Sequence, residues 1–160
     1  MNNLNLASFM PIALMLGVLV YNILKTRTIG NNKVANAIIL KNIIWYAILP
    51  NSLFFFLGHM LNSKKVAKSI GWGCGGGGFQ KEVAFASLIY VVGAIYSMFN
   101  QNINTFKTIA LLNSSWLAGT VIVHLEDMIK NNNLAFNNVV AAPLGSLINI
   151  SVLLYLTFRS

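Results

Sequence analysis

The sequence contains few charged side chains, and acidic ones are the rarest. Three of its 160 residues are Asp or Glu and 11 are Lys or Arg, so that charged residues make up 9% of the chain. A typical soluble domain has about 25%. A soluble bundle with this composition would need successive helices that are apolar on every side, with no solvated face. The shortage of charge therefore argues strongly against a soluble domain.

The few charges are absent from five long stretches of the chain. Residues 1–24, 42–63, 83–106, 108–125 and 131–158 contain no Asp, Glu, Lys or Arg. A bilayer core is crossed by about 20 mostly apolar residues in a helix, within a range of about 17–25. Together with a mean hydropathy of +0.67, this pattern predicts an all-α integral membrane helix bundle with about five transmembrane helices.

We expect residues 1–160 to form a single transmembrane domain. A glycine-rich loop at residues 71–78 lies in the longest polar connection between apolar stretches, and Pro50 predicts a kink in the second span because proline removes a backbone donor. The predicted spans cover residues of about 6–24, 43–61, 83–99, 105–124 and 139–158.

Several function classes lack the residues that they need. Cys74 is the only cysteine, so no internal disulfide can form. A G-x-G-x-x-G match at Gly71, Gly73 and Gly76 joins two apolar helices instead of opening a βαβ unit, and no Gly-Lys-Ser/Thr follows it, so a nucleotide site is not supported. The basic residues flank the apolar stretches, as they do beside membrane helices. We therefore expect the lipid bilayer as a partner and no nucleic acid.

Chain direction alternates from span to span, so alternate connections lie on the same side of the membrane. With five spans, one side receives all three acids, Glu82, Glu126 and Asp127, together with His59 and His124. The opposite side carries basic residues and no acid: Lys25, Arg27, Lys33, Lys41, Lys107 and Arg159.

Sidedness follows from the first span, which has no basic residue before it and several soon after it. Because basic residues favour the cytoplasmic side, we expect the N-terminus outside and the C-terminus inside a bacterial inner membrane. A 160-residue bundle leaves much lipid-facing surface, so a homo-oligomer or a place in a larger membrane complex is also expected.

The gathered polar groups predict a pocket at one membrane interface. Our first hypothesis is a transporter-like or accessory binding protein for a small polar or anionic molecule. His124 and Asp127 are three residues apart and share a helix face. Glu82 also has a structural explanation, because a carboxylate in the first helical turn offsets the helix dipole. The candidate ligand-binding residues are His59, Trp72, Gln80, Glu82, His124, Glu126 and Asp127.

Two alternatives use the same residues differently. Histidines and carboxylates are zinc and iron ligands, so a membrane-embedded metal enzyme is conceivable with His59, His124, Glu82 and Asp127 as weak candidates, although their spacing matches no known metal motif. In a structural or assembly subunit, the same groups only join helices. No catalytic residue or cofactor can be assigned. The glycine-rich loop before the third span offers backbone N–H groups to an anionic lipid or a small anion.

Five short motifs stand out between Gly58 and the C-terminus. They are Gly58-His59, Ile70-Gly71-Trp72, Phe79-Gln80-x-Glu82-Val83-Ala84-Phe85-Ala86, His124-Leu125-Glu126 and Asn133-x-Ala135-x-x-Asn138. Together they resemble a family of small multi-span bacterial membrane proteins classed as a domain of unknown function, and the resemblance implies a membrane protein without an established activity. Where that family has Ser-Pro before Phe-Gln, this chain has Cys74 and a glycine run, and a Pro-Gly pair expected near Phe136 is absent.

Overall fold

The structure, a computed structural model, describes residues 9–73 and 77–160. Cys74, Gly76 and the start of the first predicted span lie outside the described residues. In the described residues every regular element is a helix, which confirms the predicted all-α bundle. The helices are α1 (Met10–Thr26), α2 (Asn32–Leu61), α3 (Ser63–Ser69), α4 (Gly78–Phe99), α5 (Ile103–Asn131) and α6 (Asn137–Arg159).

Four helices, α2, α4, α5 and α6, are long and apolar enough to cross a membrane. The apolar helix α1 has 17 residues, the lower limit of about 17 for a crossing. The protein is therefore a membrane protein. Helices α2 and α5 have 30 and 29 residues and rise about 45 Å at 1.5 Å per residue, more than the bilayer core of about 30 Å. Their ends consequently reach polar surroundings, and α5 continues past the predicted span to Asn131.

Two π-helical segments accommodate the prolines of α2 and α6. Ile44–Ile48 ends two residues before Pro50, and Asn137–Ala141 ends two residues before Pro143. Proline lacks an N–H group, and its ring crowds the carbonyl four residues earlier. A wider π turn just before the ring relieves this crowding while the helix continues. Pro50 therefore lies within a continuous helix and does not divide it.

The bundle consists of two helix pairs with α1 beside them. The second half of α2 packs mainly against α4, and α5 packs mainly against α6. The buried apolar core lies near the first half of α2, the last turns of α4 and α6, and the first turns of α5. It includes Leu40, Ile43, Ile44, Ala47, Ala94, Ala110, Leu153 and Leu156.

The two ends of the bundle differ in charge. At the acid-bearing end, which holds Glu82, Glu126 and Asp127, the ring of Phe9 lies 5.8 Å from that of Phe136 between centroids. This contact brings the start of α1 to the α5–α6 connection. At the opposite, acid-free end, the Asn36 side chain donates to the Arg159 carbonyl at 3.1 Å.

The contact between α1 and α6 depends on Gly145, and this gives a testable prediction. A Cβ atom at Gly145 would lie 3.1 Å from Ile12 Cγ1, whereas a Cβ at Gly119 of α5 would meet nothing within 4 Å. Because the leucine side chain would collide with α1, Gly145→Leu is expected to lower the unfolding free energy by about 1–3 kcal/mol. Unfolding in mixed detergent micelles measures this change. The control Gly119→Leu should be neutral, and equal stability of both variants would contradict the packing.

Candidate functional site

The Asp127 carboxylate is the centre of a hydrogen-bonded cluster at the acid-bearing end. Trp72 Nε1 donates to Asp127 Oδ2 at 2.9 Å, and Asn133 Nδ2 donates to the same oxygen at 2.6 Å. Asn131 Nδ2 donates to the other oxygen at 2.7 Å. Hydrogen bonds to an ionised carboxylate are roughly twice as strong as bonds between neutral groups. Asp127 therefore joins the loop after α3, the end of α5 and the α5–α6 connection.

The end of α3 determines the position of Trp72. Gly71 has φ +78°, its N–H donates to the Lys68 carbonyl at 3.1 Å, and the Trp72 N–H donates to the Ala67 carbonyl at 2.9 Å. This pair of bonds is a Schellman motif, whose left-handed residue is usually glycine. Asn133 packs directly over Gly71, and a Cβ there would collide with its amide group. Gly71 is thus required by both its backbone conformation and its close neighbour.

Asn133 connects the two sides of the cluster. Its amide nitrogen donates to the Ile70 carbonyl at 2.8 Å as well as to Asp127, and its amide oxygen accepts from the Ala135 N–H at 3.1 Å. The latter bond is a local turn of the kind that Asn side chains favour. The Asn138 side chain then donates to the Asn133 carbonyl at 3.0 Å. A single amide side chain therefore fixes the α5–α6 connection against the loop that carries Trp72.

His124 lies beside this cluster, in contact with Trp72. The His124 and Trp72 rings stack with centroids 6.0 Å apart and an interplanar angle of 27°. His124 Nδ1 donates to Asn138 Oδ1 at 2.6 Å, and Asn138 is fully buried. The ring of Phe79, at the start of α4, lies 5.9 Å from Trp72. These contacts hold the indole between α4 and α5.

His59 and Gln80 form a second, separate pair. Gln80 is 2% exposed, and its side-chain oxygen lies 2.5 Å from His59 Nδ1, so this bond joins the last turn of α2 to the first turn of α4. The ring of Phe55 lies beside the imidazole, with centroids 6.4 Å apart. The pair fastens α2 to α4 at the acid-bearing end.

The structure brings together only part of the predicted set. Trp72, His124 and Asp127 share one cluster, and His59 and Gln80 pair with each other. Glu82 is exposed on α4, and Glu126 is exposed on α5, where it forms an ion pair with Lys130. Within residues 9–73 and 77–160, no three His, Cys, Asp or Glu side chains come close enough to hold a metal ion.

Sequence reasoning missed the asparagines that complete the cluster as site residues. Asn133 and Asn138 stand in a motif that the resemblance includes, which was the available signal, whereas nothing distinguished Asn131 from its neighbours Asn132 and Asn133. Asn132 itself ends α5 in the left-handed conformation, with φ 50°. The run of asparagines indicates a connection but does not show which side chain turns inward.

The cluster borders an open cleft of about 560 Å³. Among the described residues, Asp127 is the only charged side chain in its lining, and the other polar side chains there are amides and one indole. The cleft is therefore a negatively charged recess at the acid-bearing end of the bundle. Its lining residues are Gly71, Trp72, Gly73, Asp127, Asn131 and Asn133.

Comparison with known proteins shows the family of this chain. No curated protein and no solved structure matches it. A family model of unknown function matches residues 5–160, which confirms the resemblance found in the short motifs and extends it to the first predicted span. The chain therefore belongs to DUF6790, a family of unknown function.

Proposed function

We propose that this membrane protein binds a small polar molecule with an amine or ammonium group in the cleft at its acid-bearing end. The observation that carries the proposal is the position of Asp127 as the only charged side chain that the described part of the chain contributes to the cleft lining. An ionised carboxylate has about four acceptor sites, and three protein N–H groups bond to Asp127. One acceptor site and the negative charge remain for a ligand that donates a hydrogen bond.

The charges around the cleft favour a hydrogen-bond donor over the anion expected from the glycine-rich loop. Within residues 9–73 and 77–160, no basic side chain belongs to the cleft lining. Lys68 and Lys81 are exposed to solvent, and Lys130 is paired with Glu126. An anion in the cleft would therefore meet the Asp127 carboxylate without a compensating positive group.

Binding fits the structure better than transport. Between the two ends of the bundle, fully buried apolar side chains such as Ile43, Ala47 and Ala94 fill the space between the described helices. A ligand that moved from the cleft toward the other end would have to displace these close-packed side chains. An accessory binding role at the membrane surface follows more directly than passage through the bundle.

Titration with 1,4-diaminobutane, its neutral isostere 1,4-butanediol and inorganic phosphate tests the proposal. The diamine should bind more tightly than the diol by about tenfold or more, because it brings an ammonium group to Asp127, and phosphate should not bind. Asp127→Asn should abolish the difference between diamine and diol. Isothermal titration calorimetry on detergent-purified protein measures all three ligands.

Two glycine variants separate binding from folding in this titration. Gly73 lines the cleft, Gly77 does not, and a Cβ at either position meets nothing within 4 Å. Gly73→Leu should therefore block diamine binding without loss of stability, whereas Gly77→Leu should bind like the wild type. Unchanged diamine affinity in Gly73→Leu, or equal affinity for diamine and diol in the wild type, would refute the proposal.

The second candidate function is structural: Asp127 stabilises the bundle by joining the connections between its helices. Its carboxylate joins three segments through side-chain N–H donors, an arrangement that stabilises the bundle whether or not a ligand binds. Few large apolar side chains are buried at this end, where the buried set includes Ala67, Ala84 and Asn138. Polar contacts therefore carry much of the cohesion there.

The neighbouring acids Asp127 and Glu126 provide a matched test of this structural role. Asp127→Asn should lower the unfolding free energy by about 1.5–3 kcal/mol, the range for hydrogen bonds to charged groups. Glu126→Gln removes an exposed ion pair with Lys130 and should change stability by no more than about 0.5 kcal/mol. Denaturant unfolding in micelles measures both variants. Similar losses in both would show that the carboxylate network does not fasten the bundle.

We also propose that the acid-bearing end faces outward and the acid-free end faces the cytoplasm, which follows from the basic residues after α1. In a Cys74→Ser background, Lys65→Cys should react with a membrane-impermeant thiol reagent added to intact cells, because Lys65 is exposed at the acid-bearing end. Thr28→Cys, exposed at the other end, should react only after lysis. Reaction of Thr28→Cys in intact cells would reverse the assignment.

A further inference from the structure

A second cleft, of about 500 Å³, lies between α1 and α2 and extends to Lys25 in the last turn of α1, at the acid-free end. Apolar side chains line much of it, and Lys25 is the only charged residue that the described residues place in its lining. Two tyrosines and two asparagines complete the wall. The lining residues are Ala13, Leu14, Gly17, Val18, Tyr21, Asn22, Lys25, Asn42 and Tyr46.

The shape of this cleft is that of a groove along α1. From Ala13 to Lys25 the helix rises about 18 Å at 1.5 Å per residue, which is comparable to an extended fatty acyl chain. Gly17 lies midway, and a Cβ atom there would meet nothing within 4 Å. The missing side chain therefore leaves the middle of the groove open.

Polar groups concentrate at one end of the groove. Asn42 Nδ2 donates to Asn22 Oδ1, Asn22 Nδ2 donates to the Val18 carbonyl at 2.8 Å, and Asn22 is 1% exposed. Lys25 Nζ lies 5.7 Å from the centre of the Tyr21 ring. The groove is thus apolar along most of its length and has a positive charge and hydrogen-bonding side chains at one end.

We propose that this groove binds an anionic phospholipid, with an acyl chain along the apolar wall and the phosphate beside Lys25. Charge complementarity identifies this occupant. All three acids of the sequence lie at the far end of the bundle, so Lys25 has no carboxylate partner here, while Arg27 and Lys41 follow nearby in the chain. Exposed Tyr21 and Tyr46 are the residues that membrane interfaces favour. A lipid head group supplies the missing negative charge.

The two clefts differ in the sign of the charge in their linings, which makes the cleft beside Trp72 the poorer site for an anion. The cleft beside Trp72 contains a carboxylate, whereas the groove on α1 contains a lysine. A lone basic side chain near an anionic membrane surface strengthens attraction about fivefold. We therefore expect the amine ligand at the acid-bearing end and the anionic phospholipid at the acid-free end.

Native mass spectrometry of the full-length protein tests the proposal, with phosphatidylglycerol and phosphatidylcholine of matched acyl chains added in detergent. The wild type should retain one phosphatidylglycerol molecule with a preference of about fivefold over phosphatidylcholine. Lys25→Gln should remove this preference. Gly17→Leu should displace both lipids, since the leucine side chain fills the groove.

Two controls separate the groove from general effects. Lys33→Gln removes a positive charge from the same end but outside the groove, and Gly119→Leu adds a leucine to an exposed face of α5. Both should bind phosphatidylglycerol like the wild type. Equal losses in Lys33→Gln and Lys25→Gln would assign the preference to general surface charge and overturn the proposal. A phosphatidylglycerol molecule retained by Gly17→Leu would also overturn the proposal. If Gly17→Leu does not fold, the lipid preference of Lys25→Gln tests the proposal by itself.

Discussion

The ionised carboxylate of Asp127 is the constraint on which the acid-bearing end of this bundle depends. It accepts hydrogen bonds from an indole and two amides that belong to different parts of the chain. Removing the charge would leave these donors facing a weaker acceptor, in a region with little apolar packing to compensate. This one group joins Trp72, the wall of the cleft and the α5–α6 connection to each other.

The two ends of the bundle are stabilised by different forces. Near the acid-free end, large apolar side chains such as Leu40, Ile44 and Leu156 pack tightly, and in a membrane such packing contributes through close contact and not through exclusion of water. Near the acid-bearing end, hydrogen bonds between side chains and connections replace that packing. The cohesion of the acid-bearing end therefore depends on a few polar side chains.

The sequence was sufficient to predict the helical architecture, because charge-free stretches of membrane length are a direct consequence of lipid solvation. The sequence also predicted that Trp72, His124 and Asp127 lie at the same end of the bundle, because alternate connections between spans lie on the same side of a membrane. It could not predict the pairing of His59 with Gln80 or the inward turn of Asn133. Those contacts depend on helix rotation and on the left-handed residues Gly71 and Asn132, which periodicity does not specify.

Helix rotation also decides which of two adjacent acids matters. Successive residues on an α-helix point about 100° apart, so Glu126 and Asp127 cannot both face the cleft. Asp127 turns toward Trp72 and Asn133, whereas Glu126 turns to solvent and pairs with Lys130 one turn later. In a chain with only three acids, a one-residue shift in this helix would exchange a carboxylate bonded to three side chains for one paired only with a lysine. The cleft would then lose both its charge and the hydrogen bonds that join its walls.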